Sequence, residues 1–267
     1  MQFKKIKVIF PLLAGFFLFS SCMTLSASYG QNPAFQEEAA SATALNSVSR
    51  QLPPPAFQVI KSYSPRSPYS IVKVNLAGEG LTIISNFSQK NLNKSFSPKT
   101  FAKKSASRLV INTTPFKKDG SPAGLIIEEG NLIFQPNKKY AALAIYKEES
   151  GYRGQIFDSQ EEIDLSDSSL YLAAGGFWTI LRDEKIYDFV DHKDYRSAAG
   201  LADDGKTLFL MCGKKLSYMD CAEILKEAGA ESAMEFDGGR SAQLVINGKK
   251  VIAGPRRKVA AVLGFKN

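Results

Sequence analysis

A chain of 267 residues with 44% apolar side chains is long enough for one domain with a sizeable core. Its single histidine excludes a multi-histidine metal site, and its three cysteines show no zinc-binding spacing. The formal charge of +8 is a modest surplus, scattered rather than blocked, which argues against nucleic acid as a partner.

Residues 1–21 read as a secretion signal. Lys4, Lys5 and Lys7 form a positive start, and Val8 to Phe19 form an apolar stretch broken by Pro11 and Gly15. That stretch falls short of the ~18 apolar residues expected of a spanning helix. Leu18-Phe19-Ser20-Ser21-Cys22 resembles a bacterial lipobox, so Cys22 is expected to be the lipidated N-terminus. An uncleaved anchor and a plain secretory signal are the alternatives. The expected location is the bacterial cell envelope, with a membrane-anchored lipoprotein facing the periplasm or the exterior. Loss of the three signal lysines leaves 31 Lys+Arg against 26 Asp+Glu, a net charge of about +5. Such a balance suits an anionic membrane or an anionic glycan nearby.

Residues 22–60, rich in Ser, Ala and Gln and containing Pro53-Pro54-Pro55, predict a flexible tether. The domain is expected over 61–267. Tyr69 to Leu76 alternates apolar and polar residues, and short strand-like runs follow at Leu81 to Ile84, Leu109 to Ile111, Gly124 to Glu128 and Asn131 to Phe134. Others fall at Ala141 to Tyr146, Leu170 to Ala173, Thr179 to Arg182, Ala198 to Ala202 and Thr207 to Met211. Turn residues such as Glu129-Gly130 and Asn247-Gly248 separate many of them. One helix stands out: Ser217 as N-cap, Asp220 three residues on, an apolar stripe at 221, 224, 225 and 228, then Gly229. Cys212 and Cys221 are open to two readings, a disulfide or two buried free thiols. The fold class is α+β: a single domain of large, mainly antiparallel or mixed sheets with few helices.

The most informative segment is Phe236-Asp237-Gly238-Gly239-Arg240-Ser241, set between apolar runs. A strand that breaks into Asp-Gly-Gly places a carboxylate and accessible backbone N–H groups at a sheet edge, where an anion can bind. The alternative is an ordinary hairpin.

Three segments occur in an informative order. They are Val110-Ile111-Asn112-Thr113-Thr114-Pro115-Phe116, Tyr195-Arg196-Ser197-Ala198-Ala199-Gly200-Leu201, and the predicted helix followed by Gly229 to Ser241. Together they resemble the phosphodiester glycosidase family, with its Asn-Gly-Gly-x-Phe, Arg-Thr-Ala-x-Gly and Leu-Asp-Gly-Gly-x-Ser segments. The resemblance runs roughly from Ser70 to Gly264. It implies hydrolysis of a sugar–phosphodiester link at the anomeric carbon, giving a free sugar and a phosphate monoester.

On this resemblance the catalytic candidates are Asp237 as base or nucleophile, with Glu235 and Arg196. Within a strand, Glu235 and Asp237 would share one face, with Cα atoms roughly 6.5–7 Å apart. Arg196 would grip phosphate oxygens. Gly238, Gly239 and Ser241 would donate hydrogen bonds, and Asn112 would line the substrate site. Gly176 belongs to a second glycine turn, Trp178 offers a surface for a sugar, and His192 is either an acid near Arg196 or a surface residue. Asp237 before two glycines, Arg196 and Asn112 also have purely structural readings, as a turn cap, an ion-pair partner and a buried backbone tie. No cofactor is called for, although two carboxylates on one face could hold a divalent cation. Two departures stand out: Thr113 and Thr114 replace two glycines ahead of Pro115, and Glu235 stands where the family usually has Asn. They motivate a second reading, a non-catalytic envelope lipoprotein that binds an anionic glycan. A structural surface protein is a third.

Overall fold

The computed structural model describes residues 56–87, 97–190, 192–255 and 258–267. The expected signal 1–21, Cys22 and the tether as far as Pro55 lie outside the described residues. The end of the expected tether lies inside the fold, because Phe57–Lys61 is a strand.

The chain opens with β1 (Phe57–Lys61), β2 (Tyr69–Asn75), β3 (Thr82–Ser85), helix α1 (Pro98–Ser105) and β4 (Leu109–Asn112). Next come β5 (Ile126–Glu128), β6 (Asn131–Phe134), β7 (Ala142–Glu148), β8 (Gly151–Phe157), β9 (Leu170–Gly175), β10 (Thr179–Arg182) and β11 (Lys185–Ile186). The last part holds β12 (Asp194–Leu201), β13 (Thr207–Leu216), helix α2 (Tyr218–Glu227), β14 (Ser232–Glu235), β15 (Gln243–Ile246), β16 (Lys249–Ala253) and β17 (Val262–Lys266).

These strands build three antiparallel sheets. Sheet I runs β1-β2-β13-β12-β14-β10-β11, sheet II runs β16-β15-β4-β17-β3, and sheet III runs β6-β5-β9-β7-β8. One central core draws on all three: Val72 and Leu210 from sheet I, Ile111 and Leu263 from sheet II, Leu143 and Leu172 from sheet III. The other face of sheet I packs under α2, with Cys221 and Leu225 against Phe209 and Ala233. The other face of sheet II packs under α1, with Phe101 and Ala102 against Val110, Val245 and Val262.

The long helix forms where its sequence predicts. The Ser217 hydroxyl accepts from Asp220 N at 3.0 Å, and Asp220 Oδ2 accepts from Ser217 N at 2.7 Å. This reciprocal cap satisfies two donors that a helix start otherwise leaves unpaired. Gly229 follows the last turn at φ +102°, a conformation that favours glycine. Cys212 and Cys221 are both free and buried, and burial pushes both thiols above their ordinary range. The free-thiol reading therefore holds.

Two differences from the sequence expectation matter for the site. Strand β12 starts at Asp194, four residues before the expected Ala198, so Arg196 lies in a strand next to a register shift and not in a loop. The alternative reading of Asp-Gly-Gly, an ordinary hairpin, does not hold. Its flanking strands, β14 and β15, belong to different sheets.

Candidate functional site

The Asp-Gly-Gly segment is the crossover from sheet I to sheet II. Beyond β14, Phe236 N still bonds the Ser197 carbonyl of β12 at 2.7 Å. One residue later the partner changes: Asp237 N donates to Thr113 O, just past β4, at 2.9 Å. A tight 3-10 turn, Gly239–Ser241, then delivers the chain into β15, which pairs with β4. The pleat rule that would put residues 235 and 237 on one face ends with the strand, so the two carboxylates do not form a strand-face pair.

Asn112 holds this corner together. Its Nδ2 donates to Asp237 O at 2.6 Å, and its Oδ1 accepts from Gln243 N at 2.8 Å. One buried amide thus ties both ends of the turn, and Thr113 O fixes the Asp237 N–H from the same side. Asn112 is fully buried, so it is a backbone tie rather than a substrate-lining residue. The half-buried Asp237 is consequently set by its main chain from both directions.

Beneath the corner lies a buried charge cluster. The Arg196 guanidinium, 5% exposed, donates from Nε to Leu216 O at 3.1 Å and from Nη2 to His192 O at 2.6 Å. Its Cζ sits 4.0 Å from the centre of the Tyr218 ring, and its Nη1 is 4.0 Å from Glu235 Oε1. Glu235 is fully buried. Burial, and secondarily the Glu235 charge, raise the Cys212 thiol. Burial also raises the Tyr218 hydroxyl, with Arg196 pulling the other way. Arg196 is thus engaged inside the protein, by two backbone carbonyls and beside Glu235.

Gly238 rests on this cluster. A Cβ there would stand 3.0 Å from Tyr195 O, 3.3 Å from Glu235 Oε1 and 3.8 Å from Arg196 Nη1. Gly239 takes φ +56°, and any side chain on it would press toward Asp194 Oδ2 at 3.2 Å. Gly238 therefore lets bare backbone pass over the Glu235–Arg196 pair, and Gly239 lets it pass beside the Asp194 carboxylate. Ser241 is 1% exposed and belongs to the support of the turn.

The second glycine turn adjoins the same corner. Gly176 packs against the Glu235 carbonyl so closely that a Cβ would lie 2.3 Å from it. Phe177 N donates to Glu235 O at 2.8 Å, and Glu235 N donates to Trp178 O at 2.9 Å. Gly176 therefore serves backbone packing. Trp178 is partly exposed, sits edge-on to Tyr140 at 5.2 Å between ring centres, and has Lys139 Nζ 5.4 Å from its own ring.

His192 has an imidazole 84% exposed and 3.9 Å from Asp194 Oδ2. What it contributes inward is its carbonyl, to Arg196. Thr113 and Thr114 are 2% and 1% exposed, so both lie inside the fold. Among the described residues, no group of three or more His, Cys, Asp or Glu converges as a metal site.

Two residues escaped sequence reasoning. Tyr218 underlies Arg196; its position directly after the capping Ser217 was the available signal. Gly254 backs the turn, where a Cβ would come within 2.6 Å of the Gly239 and Arg240 carbonyls. Nothing local in the sequence marks it, because the approach is made across the fold.

A family model described as phosphodiester glycosidase matches residues 105–266. No curated protein sequence matches the chain. Among solved structures, the chain is similar to the catalytic domain of zebrafish N-acetylglucosamine-1-phosphodiester alpha-N-acetylglucosaminidase, in a form auto-inhibited by its pro-peptide. That match has a TM-score of 0.63 at 19% identity and covers 79% of this chain and 87% of that one. A hypothetical protein from Synechocystis matches with a TM-score of 0.58 at 14% identity, over 78% of this chain and 61% of that one. A Burkholderia pseudomallei protein described as exported matches with a TM-score of 0.57 at 11% identity, over 74% of each chain.

Proposed function

The chain belongs to the phosphodiester glycosidase family, and from that premise we propose an exported, lipid-anchored hydrolase that cleaves a glycosyl-1-phosphodiester of the cell envelope. The observation that carries this reading is the corner at Asp237. Its N–H and C=O are both tied, by Thr113 and Asn112, and the next residue, Gly238, passes over the buried Glu235–Arg196 pair.

In this reading the phosphate sits against the Gly238 and Gly239 backbone. Arg196 favours its charge from below without touching it. The bond between the anomeric carbon and the phosphate oxygen breaks, and the phosphate leaves with the bonding electrons as a monoester. The Asp237 carboxylate either takes the proton of the water that adds to the sugar, or attacks the anomeric carbon to form a glycosyl ester that water then hydrolyses to free sugar and the carboxylate. Trp178 and Tyr140 offer aromatic surface to the sugar, with Lys139 beside them. Glu235 and Arg196 act as positioning residues, since both are buried. The lipobox at Cys22 supports the anchor and the envelope location, and metabolic labelling with a fatty acid tests it.

The test of the activity is release of free sugar from a synthetic N-acetylglucosamine-1-phosphodiester and from a panel of related sugar phosphodiesters. Turnover of at least one, lost on Asp237→Asn, is the expected result. A second reading, glycan binding without turnover, rests on Thr113, Thr114 and Pro115 in place of the glycine turn. Retention of an anionic glycan with no sugar release across the panel would favour it.

A further inference from the structure

The positive charge of this chain is not scattered once the fold is in place. Residues 80–118 carry eight Lys or Arg and residues 238–267 carry seven, and neither stretch contains an Asp or Glu. These two stretches supply β3, α1, β4, β15, β16 and β17, which are helix α1 and every strand of sheet II. The rest of the chain holds all 26 acids against 19 Lys and Arg. One layer of the molecule is therefore purely basic in its own side chains, while the remainder is net acidic. The carboxylate of Glu128, from sheet III, reaches this layer in a buried position, accepting from Ser85 N.

The basic layer has a shaped surface. A groove of ≈ 940 Å³ lies between α1 and the β15–β16 turn, and Lys99, Lys103, Lys104, Arg108 and Lys250 line it. All five are exposed. Among the described residues, no carboxylate forms a salt bridge with any of them. The lining also includes Ala102 and Ala106, so long cationic stems stand around a small apolar floor. Lys and Arg stems of this kind cover apolar surface while their heads seek anions.

Two further facts orient this face. The Arg108 guanidinium is 5.3 Å from the centre of the Phe57 ring, so β1, where the chain enters the domain, begins beside the groove. Arg108 and Asn247 stand at one end of the β4–β15 pair, and Asn112 and Gln243 stand at the other. Strands of this length place the Asp237 corner about 13 Å farther along the sheet.

We propose that the α1 and β15–β16 face docks on an anionic phospholipid bilayer. Docking there brings the chain's entry point to the membrane and turns the Asp237 corner away from it, toward envelope glycan. The inference rests on the charge layout, so it does not depend on the lipid anchor or on turnover.

The test is binding of purified full-length protein to phosphatidylcholine vesicles and to vesicles that also contain phosphatidylglycerol. An N-terminal anchor acts on both, so the ratio of the two affinities isolates the basic face, and sugar release reports the enzyme separately. The wild type should prefer anionic vesicles, with the preference falling as salt rises. Lys99→Gln/Lys103→Gln/Lys104→Gln should cut that preference about 100-fold, from roughly fivefold for each lysine at an anionic surface, at an unchanged melting temperature. Reversal of three exposed lysines elsewhere, Lys73→Glu/Lys147→Glu/Lys185→Glu, should leave it largely intact. The proposal is overturned by no anionic preference in the wild type, or by equal losses in both triple variants. It is also overturned if these lysines bind soluble poly(glycerol phosphate) while anionic vesicles gain nothing over neutral ones.

Discussion

At the end of β14, Glu235 is fully buried, with the Arg196 guanidinium 4.0 Å from its Oε1. Two residues on, Asp237 is half-buried, and Thr113 and Asn112 hold its backbone N–H and C=O. The difference follows from where the strand stops. Glu235 still lies in sheet I and faces the layer under α2, where a charge needs a partner to persist. Asp237 has already changed sheets, so its main chain is anchored while its carboxylate stands at the corner. One carboxylate helps build the floor, and the other is the one to which the proposed function assigns the chemistry.

Substitutions on either side of this comparison should separate stability from turnover. The largest expected effect is on rate. Asp237→Asn should lower kcat on a sugar phosphodiester on the order of 10³-fold, the scale of a lost general base, while the thermal melt stays near wild type. Arg196→Ala should cost about 3–5 kcal/mol of stability, because it removes one partner of a buried pair, and a denaturant titration checks this. The companion Arg196→Met/Glu235→Leu should recover most of that loss, since apolar replacement of both partners removes the buried charges together. Recovery to less than half would mean that the pair shapes the fold in some further way.

Asn112→Ala tests the tie between the two regions. It removes the bonds to Asp237 O and Gln243 N and should cost about 1–3 kcal/mol. It should also lower kcat more than it raises KM, because Asp237 loses its position rather than its chemistry.

The smallest effect lies far from the corner, at the α2 cap. Burial alone would raise the Asp220 carboxyl, but bonds from Ser217 and the nearby Lys193 hold it below its ordinary value of 3.8. A depressed folded-state value means that the stabilisation is present above the ordinary value and is lost as pH falls through the depressed one. Asp220→Asn should therefore cost about 1 kcal/mol at neutral pH, and the gap from wild type should begin to narrow near the ordinary value of 3.8 and close only below the depressed one. Melting curves across that range check it.

Much of the fold was legible in the sequence because its signals are local. The α2 cap, stripe and terminal glycine lie within thirteen residues, Ser217 to Gly229, and all three appear as expected. The alternating runs locate many of the strands, and Asn247-Gly248 makes its turn with φ +48° and +74°. The helix α1 was missed because Pro98–Ser105 is short and carries three Lys in eight residues, and it is held by packing on sheet II. What could not be read was pairing across sheets. Asp-Gly-Gly looks like a hairpin in one dimension and is a crossover in three. Arg196 was open to a phosphate-gripping and an ion-pair reading, and its bonds to the Leu216 and His192 carbonyls follow from the fold around it. The basic layer, by contrast, was present in the sequence as two stretches without an acid, and only their assembly into α1 and sheet II gives them a common face.

The most direct test of the division between the two carboxylates is a paired measurement of kcat and melting temperature for Asp237→Asn and Glu235→Gln. Asp237→Asn should lose turnover and keep its melting temperature, and Glu235→Gln should melt several degrees lower while keeping most of its turnover. An Asp237→Asn protein at full rate, or a Glu235→Gln protein that melts like wild type and releases no sugar, would contradict this account.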